Sequence, residues 1–328
     1  MRLIVGEGGQ FDKIGEALRY AQNCEDEERI LHILPGTYCE KLKVTLEGLI
    51  LEGESAEDTI ITYGDYANAL MPDGEKRGTF RSYTMLVDAP RVRLENLTIE
   101  NSAGPQNIVG QAIALYAEGE GIVVKNCRLL GAQDTLFTGP LPPREVEPSG
   151  FRGPKEFAPR INGRQYYENC YICGTVDFIF GSATAYFENC TLESLPWQEG
   201  YVTAGSSPEG QKYGYVFSHC RFVGGASENS IYLGRPWRDY AKTVILNSYL
   251  GAHIRREGWH DWRRERAHGT TFYAEYHNEG PGAEGERVSW AHILTDEEAR
   301  EYTMERVFAG DSPAEESKHC ERKGEEVQ

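Results

Sequence analysis

Six short segments of this chain share one pattern: apolar, any, Asn, small, any, apolar. They are Leu94–Ile99, Val124–Leu129, Tyr167–Ile172, Phe187–Leu192, Phe217–Phe222 and, more weakly, Ile245–Leu250. His219 replaces Asn in the fifth copy, and the third positions advance in steps of 30, 43, 20, 30 and 28 residues. A period of 20 to 30 residues with three short strands per unit is that of a parallel β-helix. Each coil buries its inner side chains on the next, and no coil stands alone. Asn at a corner accepts left-handed backbone and can stack in a ladder with its copies. The fold class expected is therefore all-β, a single-stranded parallel β-helix.

The ends of such a stack need covers. Ile14, Ala17, Leu18 and Ala21 fall at helical spacing behind Asp12, which predicts a short capped helix over one end. Thr295-Asp296-Glu297-Glu298 is a capping-box pattern, predicting a second helix to about Phe308 at the other. The coil unit then spans 1–310, and 311–328 reads as a charged, flexible tail with few large apolar residues.

The step of 43 is too long for one coil. Its excess, 139–162, is rich in Pro, Gly and charge and reads as an inserted loop. Asp134 follows Asn126 by eight residues, and Asp177 follows Asn169 by eight. If each Asn marks the same corner, the two aspartates stack about one strand spacing apart, ~4.8 Å. Two carboxylates that close cannot ionise independently, so one residue type can supply both an acid and a base.

Composition narrows the partners. With 51 acidic and 34 basic residues the formal charge is −17, which argues against nucleic acid and against an anionic membrane surface. A strongly anionic ligand would be mildly repelled. Four of the eight cysteines (127, 170, 190, 220) recur at one repeat position and read as small core residues rather than a disulfide framework. Cys170 and Cys173 form a lone C-x-x-C without a second pair, no H-E-x-x-H or H-x-H occurs, and Gly280–Gly285 matches a dinucleotide fingerprint only by letters. No metal and no cofactor are expected. No apolar run is long enough to span a bilayer. Met1–Gly6 leads straight into a strand pattern without a leader, so the chain as given is expected in the cytoplasm, or outside the cell if a leader was removed.

Several blocks then resemble the signature segments of pectin methylesterases (pectinesterases): Gly36–Glu40, Thr79–Thr84, Gly110–Leu115, Gly131–Leu136, Gly174–Gly181, Leu233–Trp237, Gly258–Trp262 and Phe272–Tyr276. They run in the family's order to about Trp290. The resemblance implies a right-handed helix of coils and hydrolysis of C6 methyl esters of galacturonate, in pectin or oligogalacturonides; the chain is expected to act as a monomer. Carried over by position, it implies Asp177 as nucleophile, Asp134 as general acid then base, Gln111 and Gln133 as oxyanion donors, and Arg235 orienting Asp177. Trp237 would line the sugar site, with Phe178, Trp262 and Tyr38 as further substrate contacts. Arg235 can bind a carboxylate bidentately and keep it ionised. The loop 139–162 is longer than this connection in compact plant-type members and is expected to narrow the groove in favour of short oligomers. Competing readings are a carbohydrate-binding β-helix without catalysis, a polysaccharide lyase, and an esterase or thioesterase on another acyl group.

Overall fold

The structure, a computed structural model, describes residues 1–24 and 28–309; the charged segment from 311 lies outside them. Its strands form three parallel sheets of eleven, seven and eight strands, wound as successive coils of a parallel β-helix. One coil runs Ile122–Lys125, Arg128–Leu130, Leu136–Thr138, and the next runs Arg164–Glu168, Tyr171–Gly174, Ile179–Gly181. Each strand pairs with its counterpart one coil on, as Lys125 with Glu168, Arg128 with Tyr171 and Leu136 with Ile179.

The repeat maps onto one corner. Asn96, Asn126, Asn169, Asn189, His219 and Asn247 all sit at φ between 49° and 54°. Asn126 Nδ2 donates to Asn96 Oδ1 at 3.2 Å, and Asn169 Nδ2 to Asn126 Oδ1 at 3.3 Å, so the corner carries a ladder. At four of these corners a cysteine follows, and Cys127, Cys170, Cys190 and Cys220 are all buried. Each thiol donates to a carbonyl of the preceding coil: Cys127 to Leu94, Cys170 to Val124, Cys190 to Tyr167, Cys220 to Phe187. Burial pushes the thiols of Cys127, Cys170 and Cys190 well up, which keeps them protonated and inert. Beside them Tyr167, Phe187 and Phe217 stack ring on ring at 4.6 and 4.5 Å. Each such ring contributes roughly 1.5–3 kcal/mol by burial.

The N-terminal helix forms at Ile14–Ala21 and buries its four spaced residues. Asp12 does not cap it. Lys13 holds the N-cap position, and the Glu40 carboxylate accepts the N–H groups of Ile14 and Gly15 at 2.8 and 3.0 Å. A cap can come from any strand that ends near the helix, and spacing within the helix does not reveal it. At the other end Thr295 and Glu298 form the expected capping box, but the helix stops at Ala299 and a second short one follows at Met304–Val307. Val307 and Phe308 pack with Tyr166 and Tyr186, on the outer face of the eleven-stranded sheet. No helix among the described residues is long and apolar enough to cross a membrane.

Candidate active site

The corner between the second and third strands of each coil carries the aspartates. A side chain at Gly174 would put its Cβ 2.2 Å from that of Phe178 and 2.6 Å from the Ala132 carbonyl, so only glycine lets this turn close. The turn leaves Asp134 and Asp177 in left-handed backbone, φ 65° and 51°. Asp is among the few side chains that tolerate it. Asp134 N donates to Val176 O at 3.1 Å, and Thr135 Oγ1 to Cys173 O at 2.9 Å. Leu136 and Ile179 are register partners, so the two aspartates two residues upstream are stacked neighbours.

Their surroundings differ. Asp177 binds Arg235 through both oxygens, Nε to Oδ1 at 2.8 Å and Nη2 to Oδ2 at 2.7 Å. Arg235 arrives from two coils along: Phe180 pairs with Ala204, which pairs with Arg235. The small side chain of Ala204 leaves the guanidinium room to cross. Tyr201 and Trp262 sandwich that guanidinium, their ring centroids 3.8 and 3.7 Å from Cζ. Asp134 has no ion pair among the described residues. Both carboxyls are buried. Burial raises both, with Arg235 opposing the rise at Asp177. Asp134 goes well above its ordinary range, through burial first and then the charge of Asp177, against Arg235 and the amide of Gln133. The pair therefore keeps one proton on Asp134 and one charge on Asp177.

A cleft of about 350 Å³ opens over them. Gln111, Gln133, Trp237, Trp262 and Arg238 line it, with Phe80, Phe180, and Val146, Glu147, Gly150 and Phe151 of the long loop. Trp237 is held edge-on by Phe137, Phe151 and Phe180 and stacked against Phe80. Seven of the nine residues singled out in the sequence thus meet in one place.

Two do not. Phe178 is fully buried in the core beneath the turn, and its neighbour Asp177 takes the outward position instead. Tyr38 lies in the eight-stranded sheet of the first coils, in the core, with its hydroxyl donating to Leu34 O at 2.8 Å. Neither can touch a ligand in this cleft, and both are packing residues.

Sequence reasoning passed over Tyr201 and Gln106. Gln106 Nε2 donates to Gln133 Oε1 at 3.5 Å, and Thr175 Oγ1 donates to Gln106 Oε1. With its carbonyl oxygen taken, Gln133 turns its NH₂ toward Asp134 and the cleft. Thr175 precedes Asp177 by two residues, the one sequence signal that this relay exists. Gln106→Ala should lower kcat about tenfold with little change in KM. That is less than the roughly hundredfold of removing an oxyanion donor outright. Steady-state kinetics of the two variants Gln106→Ala and Gln133→Ala check the order.

The family model for pectinesterases matches residues 3–140 and 160–311. A probable pectinesterase/pectinesterase inhibitor of Arabidopsis thaliana is 33% identical over 92% of this chain and 43% of its own length. Pectinesterase 31 of the same plant is 33% identical over 82% of this chain and 80% of its own. The chain spans about half the length of the first curated relatives it matches. Among solved structures, a pectin methylesterase from Erwinia chrysanthemi superposes with a TM-score of 0.76, at 29% identity over 95% of this chain and 98% of that one. The carrot pectin methylesterase gives 0.78, at 28% identity over 94% and 93%. A pectin methylesterase in complex with hexasaccharide VII gives 0.77, at 29% identity over 95% and 98%. Both stretches that build the aspartate corners fall inside the family match, whose one internal gap, 141–159, lies within the long loop, so the chain belongs to the pectinesterase family.

Proposed function

We propose that this chain hydrolyses C6 methyl esters of galacturonate, in pectin or its oligomers, to a free carboxylate and methanol. One observation carries the reading: a single guanidinium binds one member of a buried carboxylate pair and leaves the other to hold a proton. Asp177, ionised and aimed by Arg235, attacks the ester carbonyl carbon. Negative charge gathers on the carbonyl oxygen, where the NH₂ groups of Gln111 and Gln133 donate hydrogen bonds without adding charge. As the tetrahedral adduct collapses, Asp134 gives its proton to the departing methoxide, leaving an acyl-enzyme on Asp177. Asp134, now a carboxylate, takes a proton from water, which attacks the same carbonyl. The second collapse frees Asp177 and the new carboxylate, with Asp134 protonated again.

An oligosaccharide ligand is supported by the hexasaccharide that the solved relative holds. Trp237 and Trp262 line the cleft where sugar rings would lie. The long loop beside it favours short oligomers over polymer. The test is methanol release from methyl-esterified trigalacturonate and from pectin, with EDTA present throughout. Release that survives EDTA, with the higher kcat/KM on the trimer, is expected. A folded chain that releases no methanol from either substrate would overturn the esterase reading and return the scaffold to binding.

A further inference from the structure

The loop 141–159 lies outside the family match, yet it builds one wall of the cleft. It is held there by named contacts. Phe151 is buried and packs edge-on against Phe80 and Trp237 at 5.9 and 6.2 Å. Arg160, just past the loop, gathers the carbonyls of Pro142, Lys155, Glu156 and Ala158. Lys155 pairs with Asp88 and lies 3.6 Å from Glu118, both on the coil scaffold. Arg238 donates to the carbonyls of Trp237 and Arg144, which clasps the loop to the end of the strand bearing Arg235.

Within this wall Glu147 is the one acidic side chain the loop adds to the cleft lining. It forms no ion pair among the described residues, while the other cleft carboxylate that carries charge, Asp177, is neutralised by Arg235. The wall therefore presents a negative charge without an ion-pair partner to the cleft that holds the catalytic pair, on a segment tied down at Arg144, Phe151 and Lys155. We infer that Glu147 is a specificity-determining residue that selects substrate whose flanking galacturonate is still methyl-esterified. The inference rests on the esterase reading above.

The physical reason is simple. A galacturonate ester is neutral and its hydrolysis product is an anion. A flanking sugar that passes Glu147 as an ester meets no repulsion, and one that passes as a carboxylate does. Several ångströms of separation at the edge of water make the discrimination about fivefold for one unit charge. Each turnover also converts a favoured register into a disfavoured one. The chain should then leave the product and act elsewhere, which scatters the carboxylates instead of building blocks of them. Arg238 is the opposing charge in the same cleft. Two of its N–H groups go to backbone carbonyls and its Cζ lies 4.7 Å over the Trp237 ring, so its charge is held in place and works against that of Glu147.

The experiment compares two trigalacturonates, one fully methylated and one with a single flanking carboxylate free. The quantity read is the ratio of their kcat/KM values within each variant, so a general loss of activity cancels. Glu147→Gln should shift the ratio about fivefold toward the partly demethylated trimer, and Glu147→Lys should shift it further in the same direction. Adding 0.5 M salt to the parent should reproduce part of the shift. A ratio that stays put or moves the other way in both variants, in a parent that releases methanol normally, overturns the role of Glu147 and leaves the esterase reading intact. A parent inert on both trimers overturns both.

Discussion

Asp177→Asn should cost on the order of 10⁴-fold or more in kcat, because the amide nitrogen and oxygen cannot form the acyl-enzyme. The substitution keeps the shape of the side chain and one acceptor for Arg235, so the turn geometry survives. It also strands a charge. Arg235 is mostly buried between Tyr201 and Trp262, and Asp177 is its bidentate partner. Breaking a buried pair from one side costs roughly 3–5 kcal/mol. Lost activity and lost stability must therefore be separated. Removing the second charge does this: Asp177→Asn with Arg235→Gln should melt higher than Asp177→Asn alone and remain inactive. Methanol release and thermal unfolding of the parent, the two single variants and the double variant form a complete cycle. Activity that returns with stability in the double variant would show that Asp177 served the fold and not the chemistry.

Asp134→Asn should lose activity by about 10²- to 10⁴-fold and at the same time stabilise the protein at neutral and alkaline pH. The fold raises the Asp134 carboxyl well above its ordinary value, by burial and then by the charge of Asp177. Below the unfolded-state value both the folded and unfolded chains carry the proton, and the contribution is fully in place. As pH climbs through the folded value the fold must hold a second buried anion beside Asp177, and that contribution is lost. Asn never ionises, so its advantage is nil in acid, grows as pH rises, and reaches on the order of 1–2 kcal/mol. The same proton sets the activity profile. Rate falls on the alkaline side as Asp134 loses its proton and on the acid side as Asp177 gains one. The two limbs belong to the coupled pair, not to either residue alone. Thermal unfolding of parent and variant across pH is the measurement, and parallel curves would contradict the raised carboxyl.

The stacked corners were legible because the information is local. Left-handed backbone recurs at the corner of successive coils, four of those corners are followed by an inward thiol, and two adjacent coils carry an aspartate eight residues on, which periodicity puts in register. Tyr38 and Phe178 show where that reading stops. Both sit in blocks that carry the family resemblance. A block matched as a whole does not say which of its side chains faces out. At Phe178 the turn has broken the period of two that would have told, and the ring goes into the core. Gln106 and Tyr201 were missed for the opposite reason. Their roles depend on Gln133 and Arg235, residues far along the chain that meet them only after coiling.

By itself the sequence determined the coil, its corner ladder and the pairing of Asp134 with Asp177, since a repeat of fixed phase admits one stacking. The family resemblance pairs Arg235 with Asp177 and leaves the proton to Asp134, but only the tertiary structure gives the physical reason. That asymmetry comes from a guanidinium two coils away crossing over Ala204, and from depth below the surface. Only the tertiary structure brought Glu147 and Phe151 to the cleft as well. Charge and burial act through space, and an inserted loop has no period from which its place can be read.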